Sequence, residues 1–67
     1  MPEYSIGREY PLEAETLAGI IRYEYLEAQR LPPEGAASMA AAYANDRGMD
    51  KKLALRVIAD TIGRWAA

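Results

Sequence analysis

The chain has no cysteine and no histidine among its 67 residues. Without cysteine there can be no disulfide, no thiolate zinc ligand and no thiol nucleophile. Without histidine the commonest general base and the commonest transition-metal ligand are both missing. Any chemistry would fall to carboxylates, tyrosines, lysines and arginines. The expectation is a protein that is not an enzyme and takes no cofactor, metal or small-molecule substrate. Long apolar runs are missing too: no stretch approaches the ~20 residues that a helix needs to cross a bilayer. The opening MPEYSIGREY carries Glu3 and Glu9 and no apolar core, so it does not read as a secretory signal. These absences lead to the expectation of a soluble, cytoplasmic protein with no membrane span.

Charge is ordinary in amount but uneven. Residues 1–34 hold three arginines against seven glutamates, a net of −4, and residues 35–67 hold five basic against three acidic side chains, a net of +2. An acidic first half and a basic second half can attract each other within one chain or between copies. Neither half is dense enough to announce nucleic acid.

What is present is helical patterning. The longest stretch, Pro11 to Leu31, opens on one proline and closes on the pair Pro32-Pro33. Pro11 suits a first helical position, where its missing N–H would have no partner anyway. At 3.6 residues per turn Ala14, Leu17, Ala18, Ile21, Tyr25, Ala28 and Leu31 share one face, the expected core stripe. The residue before a proline is pushed out of the α region, so this helix should end at Leu31. A second helix is expected over 34–47, rich in alanine, with Ala36, Met39, Ala40 and Tyr43 inward and Gly48 placed for a left-handed cap. Asp50 then reads as the N-cap of a third helix over 50–66, with Met49 folding back on Ala54 as a hydrophobic staple. Leu55, Ile58, Ile62 and Trp65 make that helix's expected core face. Arg56, Asp60 and Arg64 run down its outer side. The fold expected is all-α: a small three-helix bundle over residues 11–67, preceded by an extended arm over residues 1–10.

Large inward positions are few for such a chain: Leu17, Ile21, Tyr25, Leu31, Met39, Tyr43, Leu55, Ile58, Ile62 and Trp65. A domain of this size buries only about 60% of its unfolded surface. A partner would add to that. Two features suggest where. Tyr23 and Leu26 fall in the polar arc of the first helix with Leu12 and Gly19 roughly in line, forming a second, narrower apolar stripe. The arm alternates Tyr4, Ile6, Arg8 and Tyr10 with polar residues or glycine, and could lie across helices of the same or another chain. Leu12, Gly19, Tyr23, Leu26, Tyr4, Ile6 and Tyr10 are therefore the candidate partner-binding residues. The functional expectation is a protein–protein interaction or assembly subunit, a homo-oligomer that associates through helix surfaces.

Other constellations are weaker. Residues 40–59 resemble a helix–turn–helix in part, with Ala44 and Gly48 at the spacing of that motif's alanine and turn glycine. Tyr43, Met49 and Val57 fall at its apolar positions, and Lys51, Lys52 and Arg56 would face DNA. Two residues depart from the pattern: Arg47 stands where an apolar residue is wanted, and Leu55 would point outward. A DNA-binding regulator is thus the alternative function. Glu13, Glu24 and Glu27 offer paired carboxylates without a histidine at di-metal spacing, and a solvated face is their default. The third helix could lie on a membrane surface, but a soluble bundle helix carries the same pattern. Gly7, Gly19, Gly35, Gly48 and Gly63 are isolated and form no phosphate-cradling loop.

Overall fold

A computed structural model describes residues 12–67. The expected arm with Tyr4, Ile6 and Tyr10, and the opening Pro11, lie outside the described residues. From Glu13, which is extended (φ −86°, ψ 153°), the chain enters α1, Ala14–Gly19. Glu15 sits in its first turn, at the positive end of the helix dipole. Gly19 keeps right-handed helical angles, and the backbone runs on without a break into a π-helical segment, Ile20–Ala28.

That segment changes the register of the first helix. A π-helix bonds each N–H to the carbonyl five residues back, so its turns hold more residues than those of an α-helix. Side chains four and five apart then share a face. Ile21, Tyr25 and Leu26 all turn inward as a result, below the fully buried Leu17. Leu26 was expected on the polar arc, and only 5% of it remains exposed. Ala28, expected inward, is exposed.

The helix ends at Ala28, three residues before Leu31. The Gln29 N–H donates to the Glu24 carbonyl at 2.8 Å, and the Leu31 N–H donates to the Tyr25 carbonyl at 2.9 Å. Between them Arg30 takes φ 56°, in the left-handed region. For a residue with a Cβ that conformation costs about 1 kcal/mol. The chain reverses here because Pro32 keeps Leu31 out of the α region.

Helix α2 spans Pro33–Asp46, with Pro32 as its cap residue and Pro33 in the first turn. It buries Ala36, Ala40 and Ala44, four residues apart. Gly48, at φ 78°, closes it as expected. The Gly48 N–H reaches the Asn45 carbonyl at 3.1 Å and the Met49 N–H the Ala44 carbonyl at 3.0 Å, the two bonds of a Schellman ending. Helix α3, Lys51–Ala66, starts on Asp50, whose side chain accepts the Leu53 N–H at 3.0 Å. Met49 and Ala54, the expected staple pair, are both buried.

The three helices of this all-α fold share one core, formed by Leu17, Ile21, Tyr25, Leu26, the three α2 alanines, Met49, Ala54 and Ile58. On α3 the inward positions are Ala54 and Ile58, with Val57 and Ile62 half-buried. Leu55, about 100° round the helix from Ala54, is carried outward by that choice. Leu55, Met39 and Trp65, all expected in the core, are exposed. Tyr43, Ile62 and Leu31 reach only its edge.

Candidate interaction surfaces

The second apolar stripe expected along the first helix does not survive as one surface, because the π segment divides it. Leu26 belongs to the core, and Leu12 is half-buried against it. Tyr23 remains outside, 60% exposed, with the Arg22 guanidinium 5.4 Å from its ring centroid. Gly19 has open space beside it: a Cβ placed there would meet nothing within 4 Å.

Gly19 and Tyr23 share a groove of about 400 Å³ with the end of α3, where Trp65, Thr61, Asp60 and Arg64 form the facing wall. Trp65 is 43% exposed. Arg64 pairs with Asp60 at 3.4 Å, one helical turn away, and both are well exposed. Such a pair contributes only about 0.3–0.5 kcal/mol. The groove thus sets two aromatic rings among two arginines and one aspartate. Sequence reasoning found Gly19 and Tyr23 but assigned Trp65 to the core. Trp65 does lie close to Ile58 in angle around α3. It sits in the helix's final turn, however, where the core residues of that helix have already ended.

A second groove, of about 390 Å³, lies between α2 and α3. Ala41, Ala42 and Ala54 give it a floor of small side chains, Leu55 and Met49 its apolar walls, and Lys51 part of its rim. Leu55 is 52% exposed here. The basic residues of the possible DNA-reading helix stand on the same element: Lys51, Lys52 and Arg56 are all exposed. One departure from the helix–turn–helix pattern therefore disappears, since Leu55 does point outward. The other remains: Arg47, where the pattern wants an apolar residue, stays at the surface with its guanidinium 5.0 Å from the Tyr43 ring centroid.

Glu13, Glu24 and Glu27 are solvated. The Glu24 carboxylate accepts a hydrogen bond from the Gln29 amide at 2.9 Å. Among the described residues no group of three or more carboxylates gathers as a metal site, and no helix is long and apolar enough to cross a membrane. One titratable group is perturbed. Burial pushes the Tyr25 phenol above its ordinary value, and neighbouring Tyr43 and Glu24 push it the same way. Tyr25 is part of the core and faces neither groove, so this shift bears on stability.

No protein-family model, curated protein or solved structure matches the chain.

Proposed function

We propose that the chain is a non-catalytic interaction subunit that associates with a second copy of itself through helix surfaces. Leu55 carries this reading. It stands outward at the edge of an alanine-floored groove, a shape that admits the apolar ridge of another helix. Burying the half of this leucine that is still exposed contributes about 1 kcal/mol, a gain open to a partner. Charge favours a second copy as that partner. Lys51 stands at the groove's rim and Lys52 and Arg56 are exposed on the same helix, while the first helix exposes Glu15, Glu24 and Glu27. A neighbouring copy can set its acidic helix against this basic one, which fixes orientation more than it adds affinity. The reading goes with a soluble protein of the cytoplasm, supported by the cysteine-free composition.

The test is solution mass by light scattering on a sizing column, over a wide range of loading concentrations. The expected result is a dimer or larger species that dissociates on dilution. Leu55→Lys should yield a monomer with unchanged helical circular dichroism. A wild-type chain that stays monomeric at every concentration overturns self-association.

One observation favours a second reading, that of a DNA-binding regulator: Leu55 points outward beside the exposed Lys51, Lys52 and Arg56, as the reading helix of a helix–turn–helix would require. Three phosphate contacts would give duplex affinity a log–log salt slope of about −3. Absence of duplex binding at low salt removes this reading.

A further inference from the structure

The groove between the first helix and the end of α3 has no part in the self-association reading, and its walls call for a particular ligand. Tyr23 and Trp65 offer flat apolar faces, Gly19 leaves open space beside them, and Arg22 and Arg64 stand at the exposed rim. An occupant should be extended, aromatic along one side and acidic along the other. Residues 3–10 of this chain have that composition. Tyr4, Ile6 and Tyr10 fall on one side of an extended segment together with Arg8, whose charge suits the groove's Asp60, and Glu3 and Glu9 fall on the other.

We propose that this groove is the docking site of the chain's own N-terminal segment, residues 3–10. The two tyrosines and the isoleucine pack on Tyr23 and Trp65, and the two glutamates meet Arg22 and Arg64. The segment joins the described chain at Leu12, two residues before the helix that carries Gly19 and Tyr23. Along that helix Gly19 and Tyr23 lie roughly 8 and 14 Å from its first residue, Ala14. Eight extended residues span up to about 28 Å, so a segment that doubles back has the reach. Covalent attachment also presents it at an effective concentration of millimolar order, far above that of the same segment on a separate copy in dilute solution.

Trp65 is the chain's single tryptophan, so its fluorescence reports on this groove alone. The experiment compares the full-length wild type with a full-length variant carrying Tyr4→Ser, Ile6→Ser and Tyr10→Ser. Emission maximum and acrylamide quenching are followed across a dilution series, with far-ultraviolet circular dichroism checking that the helices persist. The expected result is a red shift and stronger quenching in the variant, with a wild-type signal that does not change on dilution. The same shift is expected in the Leu55→Lys background, whether or not the chain self-associates. Glu3→Lys with Glu9→Lys should reproduce part of the shift, and added salt should weaken docking in the wild type. Trp65 fluorescence that is identical in wild type and both segment variants overturns the proposal. A wild-type signal that tracks the oligomer's dissociation on dilution also overturns it, since the occupant is then a second copy.

Discussion

The burial of Leu26 that follows from the π-helical register of the first helix is open to a direct test, with Leu55 on α3 as the exposed comparison. Regular α-helical spacing puts Leu26 on the polar arc of the first helix and Leu55 in the core. The structure has Leu26 5% exposed and Leu55 52% exposed. Leucine-to-alanine changes in a core cost about 2–5 kcal/mol, according to how far the site can close. Leu26 lies in a thin core with small alanine neighbours on α2, which can close over the gap, so the lower part of that range applies, about 2–3 kcal/mol. A domain of this length holds roughly 3–10 kcal/mol in total, so the loss is a large fraction of it. With a urea dependence of about 1 kcal/mol per molar, the unfolding midpoint of Leu26→Ala should fall by roughly 2–3 M. Its Tm should fall by about 10–20 °C. Leu55→Ala should stay within about 0.5 kcal/mol of wild type, as a surface change does. Both proteins should be measured by circular dichroism at concentrations low enough to keep the chain monomeric, so that any Leu55 contact between copies does not enter. A loss of less than about 1 kcal/mol for Leu26→Ala would refute the π register and return the first helix to ordinary α spacing, and a comparable loss for Leu55→Ala would refute its outward placement on α3.

Three further substitutions probe single features. Arg30 holds a left-handed conformation that glycine adopts freely, so Arg30→Gly should raise stability by about 0.5–1 kcal/mol in the same urea assay. An unchanged or lowered midpoint would count against the turn described at Arg30. Asp50→Ala removes the acceptor for the Leu53 N–H at the start of α3 and should cost about 1 kcal/mol, most of it restored by Asp50→Ser. Tyr25 has a phenol raised above its ordinary 10.0 by burial, so the unfolded chain gives up that proton first. Its contribution is therefore complete below about pH 10 and is lost as pH climbs beyond. Tyr25→Phe should flatten that alkaline decline when urea midpoints are compared across the range, and an unchanged slope would show that Tyr25 is not its source.

Sequence spacing was most informative where a residue's role is decided by its immediate backbone. Gly48 closes α2 and Asp50 opens α3 as their chemistry demands, because a left-handed cap and a side-chain N-cap each involve only a few consecutive residues. The proline pair likewise marks the break between the first two helices. Spacing misled wherever it had to choose a helix face. On α3 the wheel favours Leu55, Ile58, Ile62 and Trp65, the bulky set, yet the inward positions are Ala54 and Ile58. Rotating one helix by less than a third of a turn exchanges those sets, and only the facing surface determines which is used. The same uncertainty hid the groove at Tyr23, since its opposite wall comes from a residue some forty positions away, Trp65.

The alanine-rich α2 and the π segment are best understood together. Alanines at 36, 40 and 44 present little volume to the core, and the space they leave has to be filled from elsewhere. Continued as a regular α-helix, the first helix would bring Leu17, Ile21 and Tyr25 inward and then Ala28 or Gln29, one too small and the other polar. Widening the turn brings Leu26 in beside Tyr25 and leaves Ala28 and Gln29 in solvent. The gain from burying a leucine, about 1.5–3 kcal/mol, opposes the poorer backbone geometry of the wider turn. The cost to the surface is one apolar side chain, so the first helix keeps Tyr23 alone as its exposed large apolar residue. Core filling thus determines what the first helix has left for recognition: an isolated aromatic that, among the described residues, finds a second ring across the groove in Trp65.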